Sequence, residues 1–120
     1  MKTILAVDDS ASMREMVKFT LSEAGYQVVE AADGVEALEL ANKQLVDAVI
    51  ADVHMPNMDG VSLVAELRAL KGYKFVPILM LTTDSNTDLK KQAAANGATG
   101  WLVKPFSPDR LLATVKRVLD

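Results

Sequence analysis

Residues 4–31 read ILAVDDSASMREMVKFTLSEAGYQVVEA, and a change of period inside that stretch decides the fold. Ile4–Val7 is a short apolar run, partly β-branched, that stops at Asp8 and Asp9 as a buried strand does. Beyond it Met13, Met16, Val17, Thr20, Leu21 and Ala24 recur at helical spacing and fall on one face. Ser12 with Glu15 predicts a capping box at the start of this helix, and Gly25 predicts its end. Gln27–Ala31 then reads as strand again. Strand, helix, strand is the unit from which parallel sheets are built.

The unit recurs along the chain. Asp33 predicts the cap of a second helix carrying Val35, Leu38, Leu40, Ala41 and Leu45, with Glu36 in its first turn. Ala48–Ala51 is a third strand ending at Asp52, and the segment from Val53 to Gly60 holds the turn residues Pro56, Asn57, Asp59 and Gly60. A third helix follows with Val61, Leu63, Val64, Leu67 and Leu70. Ile78–Leu81 is a fourth strand, opened by Pro77 and ended by Thr82 and Thr83. The fourth helix is expected to be capped by Ser85 or Asn86 and to stop at Asn96–Gly97. Thr99–Val103 is the fifth strand. Ser107, Pro108 and Asp109 form the start of a last helix carrying Leu111, Leu112, Val115, Val118 and Leu119. Five such units in 120 residues cannot close an eight-fold barrel, which needs roughly twice the length. Strands this apolar must be covered on both faces. The expectation is an α/β protein: one domain over residues 1–120, with a doubly wound five-stranded parallel sheet in the flavodoxin-like order 2-1-3-4-5.

Composition narrows the function. Half the residues are apolar, enough for a core, and 13 basic against 16 acidic residues give a net charge of −3. That balance offers no basic footprint for nucleic acid. The apolar runs fall far short of the ~20 residues that span a bilayer, so no membrane association is expected. There is no cysteine, hence no disulfide or zinc–thiolate site. The first residues meet two aspartates at once and do not resemble a signal peptide, which predicts a cytoplasmic location.

Open α/β sheets bind ligands at the carboxyl ends of their strands, at the point where the strand order reverses. Here strand one ends in Asp8 and Asp9, strand three in Asp52, strand four in Thr82 and strand five in Lys104. The reversal lies between strands one and three, so three carboxylates are expected to converge there with a hydroxyl and an ammonium beside them. A lone acidic residue at a strand end is ordinarily a helix cap. Three like charges at close range raise one another's pKa and call for a counter-ion, and a set of oxygen ligands suits Mg²⁺. A carboxylate flanked by a cation, an ammonium and a hydroxyl has what an aspartyl nucleophile needs to take a phosphoryl group.

Asp8-Asp9-Ser10, the stretch from Asp52 to Gly60 (DVHMPNMDG), Thr82-Thr83 and Lys104-Pro105-Phe106 together resemble the receiver domain of two-component response regulators, and the resemblance covers the whole chain. Within that family the likeness is to stand-alone chemotaxis regulators of the CheY type. The resemblance implies that Asp52 is phosphorylated by a histidine kinase. It implies that Asp9 and Asp52 bind Mg²⁺ directly, that Asp8 helps through water, and that the backbone carbonyl of His54 completes the protein ligands. Lys104 would pair with the phosphoryl group through its side chain, and its bond to Pro105 would be cis. Thr82 would hydrogen-bond the phosphoryl group, coupled to Trp101 as the switch aromatic. The responsive surface would be helix four, strand five and helix five of a monomer. A flagellar motor switch protein, a phosphatase or a second kinase remain open as partners, as does a phosphate-draining role.

His54 stands where many members of the family carry asparagine, and Thr83 is bulkier than the small residue common after the switch threonine. The imidazole of His54, the only histidine, is expected beside the site and not as a ligand. Asp84 reads either as a helix cap or as a residue at the site mouth. Trp101 is expected to be partly exposed near the sheet edge.

Other functions fit less well. A metal-dependent aspartyl phosphatase needs a general acid near the nucleophile and a cap for specificity, and no insertion supplies one. A flavin carrier needs a hydroxyl- and glycine-rich phosphate loop where this chain has Asp8 and Asp9. A serine hydrolase would need a base beside Ser10 or Ser12, and a scaffold that never takes phosphate would not need the full polar set.

Overall fold

A computed structural model describes residues 1–83 and 87–119 and shows ten elements in strict alternation. They are β1 (Thr3–Val7), α1 (Ala11–Glu23), β2 (Gln27–Ala31), α2 (Gly34–Lys43), β3 (Ala48–Asp52), α3 (Gly60–Arg68), β4 (Ile78–Thr82), α4 (Thr87–Ala95), β5 (Gly100–Val103) and α5 (Pro108–Leu119). All five strands are parallel and hydrogen-bonded in the order β2-β1-β3-β4-β5, as the alternation of periods predicts.

The three central strands, β1, β3 and β4, are buried along their whole length. Their alternate side chains feed two cores, one on each face of the sheet. Leu5, Val7, Val49, Ala51, Ile78 and Met80 pack with α2, α3 and α4 on one side. Ile4, Ala6, Ile50, Leu79 and Leu81 pack with α1 and α5 on the other. This two-sided burial is why the strands read as continuous apolar runs. The outer strand β2 is largely half-buried, and its polar residues Gln27 and Glu30 sit at that edge.

Several local expectations change. The cap of α1 is Ser10, not Ser12: its hydroxyl accepts the Met13 N–H at 3.3 Å from an extended backbone, and Ser12 already lies in the helix. On α2, Val35 and Leu45 do not join the core: they are exposed, because Gly34, Ala37 and Ala41 are the residues that face the sheet and Leu45 lies past the helix end. Strand five begins at Gly100, one residue later than Thr99. Asp33 and Ser107 cap α2 and α5 as expected, accepting from Glu36 N–H at 2.9 Å and Arg110 N–H at 3.1 Å. Asp84 and the cap of α4 at Ser85 or Asn86 lie outside the described residues.

Candidate functional site

The carboxyl ends of β1 and β3 bring Asp8, Asp9 and Asp52 together, with one oxygen from each lying within 4.8 Å of the others. Parallel pairing accounts for this. Val7 is paired with Ala51, so the residues after them, Asp8 and Asp52, lie side by side at the crossover point.

Asp8 is the most firmly held member. Its Oδ1 accepts the Ser10 N–H at 2.9 Å, its Oδ2 accepts from Lys104 Nζ at 3.1 Å, and its backbone carbonyl accepts from the Arg14 guanidinium at 2.6 Å. Arg14 is in turn 3.7 Å from Glu30 on β2. Nothing in the residue pattern marks this brace, although Arg14 follows the true cap, Ser10, by one helical turn. Asp52 is buried like Asp8, whereas Asp9 is exposed.

Lys104 reaches the cluster from the end of β5. Its backbone N–H donates to the Thr82 carbonyl at 2.7 Å, which continues the β4–β5 ladder past Val103 and aims the side chain inward. Its ammonium lies 3.1 Å from Asp8 and 3.4 Å from Asp52. The Lys104–Pro105 peptide bond is cis, as the family likeness implies. Thr82 is fully buried at the end of β4.

The charges do not cancel. Three carboxylates against one ammonium give a formal local charge of −2, equal and opposite to a divalent cation. Burial is the main force pushing the Asp52 carboxyl above its ordinary range. Lys104 opposes that shift, and the neighbouring Asp8 adds to it. A hard, oxygen-only donor set with excess negative charge fits Mg²⁺. His54 has an exposed side chain outside the carboxylate cluster.

The loop from Val53 to Asp59 directly follows Asp52 and joins β3 to α3. Its ends are fixed by Val53 N–H donating to Leu81 at 3.0 Å and Gly60 N–H donating to Val53 at 2.8 Å. A Cβ at Gly60 would collide with the Asp52 carbonyl oxygen and the Val53 backbone, so only glycine lets α3 start this close to β3.

Trp101, paired with Met80 across β4, is half-buried as expected. Its buried indole N–H has no hydrogen-bond partner among the described residues, and Lys90 Nζ sits 5.6 Å from the ring centroid.

Residues 4–116 match the response regulator receiver domain family. The chain belongs to that family. Its fold overlays the chemotaxis protein CheY4 of Vibrio cholerae with a TM-score of 0.96 and 54% identity, covering 98% of both chains. A CheY homologue of Campylobacter jejuni is 41% identical over 97% of this chain and 91% of the relative. The receiver domain of the sensor histidine kinase PA1611 of Pseudomonas aeruginosa, described with a magnesium ion coordinated in its active-site cleft, is 30% identical with a TM-score of 0.90, over 98% of this chain and 97% of that one. The chain spans only 44% and 47% of two probable transcriptional regulators that it matches at 41% and 40% identity. No helix among the described residues is long and apolar enough to cross a membrane.

Proposed function

We propose that this receiver domain is a phosphorylation-controlled binding module of a chemotaxis-type two-component system, acting alone in the cytoplasm as a monomer with Asp52 as the phosphoacceptor. The single observation that carries the reading is the uncompensated charge at the strand crossover, where buried Asp52 and Asp8 share the one ammonium of Lys104. The CheY relatives that match nearly end to end support the chemotaxis assignment.

Asp8, Asp9, Asp52 and the His54 carbonyl would hold Mg²⁺, which supplies neutralising charge to the phosphoryl oxygens when bound. A carboxylate oxygen of Asp52 attacks the phosphorus of a phosphohistidine on the partner kinase. The P–O bond forms as the P–N bond breaks, and the leaving imidazole takes up a proton from water. Lys104, already at the cluster, is placed to pair with a phosphoryl oxygen and stabilise the spread of negative charge. The hydroxyl of Thr82 supplies a further hydrogen bond. Apart from this reaction and the hydrolysis of the aspartyl phosphate it forms, no enzymatic activity is assigned.

The signal leaves through β5. Movement of the Thr82 hydroxyl towards the phosphoryl group frees space next to the strand that carries Trp101, and the indole changes rotamer. One hydrogen bond to a charged group, at roughly 1.5–3 kcal/mol, shifts such an equilibrium about ten- to a hundred-fold. The surface formed by α4, β5 and α5 then binds its partner, a flagellar motor switch protein or a phosphatase.

Incubation with acetyl phosphate and Mg²⁺ should add one phosphoryl group, and Asp52→Asn or a chelator should abolish the addition. Stoichiometric labelling of Asp52→Asn would overturn the reading. Beryllofluoride with Mg²⁺ should change the fluorescence of Trp101, the only tryptophan, and Thr82→Ala should blunt that change while leaving Asp52 reactive. An equal response in the two proteins breaks the Thr82–Trp101 coupling alone.

A further inference from the structure

The loop between Asp52 and Gly60 carries the His54 carbonyl, and its middle is moored to a different element from its ends. Asn57 adopts φ 69°, the left-handed region, which asparagine tolerates better than other side-chain-bearing residues. From there its Nδ2 donates to Asp33 Oδ2 at 2.8 Å. Asp33 is the cap of α2, and its other oxygen accepts the Glu36 N–H at 2.9 Å. Each oxygen of this one carboxylate thus has its own task, one starting a helix and one holding the loop. The interaction lowers the Asp33 pKa, Glu36 contributing most and Asn57 next, so the carboxylate stays ionised. Next to it Met58 lies against Gly34, where a Cβ would come within 2.8 Å of the methionine Cβ. The missing side chain at Gly34 is what lets the loop approach α2.

We propose that Asp33 and Asn57 are positioning residues for the cation site: their hydrogen bond sets the loop so that the His54 carbonyl is presented to the metal. Neither residue belongs to the carboxylate cluster. The inference rests on the Mg²⁺ reading above and extends it to α2, which contributes no ligand. The bond is at the surface, so its worth lies in ordering the loop before the cation arrives and not in global stability.

Two variants separate the bond from the cap. Asp33→Ser keeps an N-capping oxygen but is too short to reach Asn57. The exchange Asp33→Asn with Asn57→Asp keeps net charge, an N-capping side chain and a left-handed-tolerant residue, and re-forms the bond with donor and acceptor reversed. Mg²⁺ binding to the whole chain is measured by calorimetry in about 0.5 M KCl, where charges more than ~5 Å apart are largely screened. Amide exchange over residues 54–59 is followed in metal-free protein. Asp33→Ser should weaken Mg²⁺ binding roughly three- to tenfold, the scale of one hydrogen bond, and speed the exchange. The exchanged pair should stay within about twofold of the original on the same scale. Unchanged affinity or exchange in Asp33→Ser overturns the proposal, and so does an exchanged pair as weak as Asp33→Ser. Absence of Mg²⁺ binding by the unaltered chain overturns the cation reading and this inference with it.

Discussion

The two ends of the sheet treat polar groups in opposite ways. At the carboxyl end, Asp8, Asp9 and Asp52 crowd together with one ammonium between them. At the amino end, Tyr73 and Arg68 are tied into the backbone with their hydrogen bonds made. The Tyr73 hydroxyl accepts the Val46 N–H at 3.3 Å and shares its proton between the carbonyls of Ala41 at 2.9 Å and Gln44 at 2.8 Å. Arg68 donates to the carbonyls of Tyr73 at 2.6 Å, Val76 at 2.7 Å and Gly97 at 2.7 Å. Buried polar groups that are satisfied hold a fold together, and those left in excess of one sign are held there by the rest of the fold. The amino end is structural for that reason, and the carboxyl end is chemical.

If this division is right, substitutions at the two ends should change stability with opposite signs. The largest effect is expected from Arg68→Ala, which leaves three loop carbonyls without their donor and should cost about 3 kcal/mol in urea unfolding, with no effect on Mg²⁺ affinity. A loss below about 1 kcal/mol would show that water replaces the guanidinium freely. Tyr73→Phe comes next, at about 2 kcal/mol, because the Val46 N–H loses its acceptor inside the protein. Asp52→Asn should act the other way and stabilise the metal-free chain by about 1 kcal/mol by removing one of three like charges. Because the Asp52 pKa is raised in the fold, protonation favours the native state, and that contribution is lost as pH rises through the folded value. The advantage of Asp52→Asn should therefore be full at neutral pH and shrink in acid. An advantage that grows in acid breaks the comparison.

The smallest expected effect is again one of pH. Burial raises the Tyr73 pKa above its ordinary 10.0, so its contribution is complete below that value and falls as pH climbs through the raised one. The stability gap between the unaltered chain and Tyr73→Phe should narrow in strong alkali. A constant gap would mean that the phenol is not the titrating group.

What was legible in the sequence follows the same division. Asp52 and Thr82 end their strands and Asp8, Asp9 and Lys104 directly follow theirs, so once the strands are placed all five fall at one edge of the sheet. The amino-end knot could not be read, because Tyr73 and Arg68 bond to backbone carbonyls, and a carbonyl leaves no mark in the residue types. Asn57 was recognisable as a turn residue but not as the partner of Asp33, 24 positions away. The α1 cap was misplaced by two residues because Ser12-x-x-Glu15 matches a capping box that Ser10, nearer the strand, pre-empts. Val35 matched a helical stripe, yet α2 turns its small residues to the sheet so that it can lie close.

Lys104 meets Asp8 across 96 positions of chain, from the last strand to the first. A contact that distant in sequence forms only after every intervening pairing has brought the two ends together, since the entropy of closing so long a loop must be met by the strands between. The ion pairing of Lys104 with the carboxylates is therefore expected among the last contacts to form during folding. A chain stopped short of β5 carries the aspartates but not the ammonium that pairs with Asp8 and Asp52, so that ion pairing, and not the carboxylates alone, marks a finished sheet.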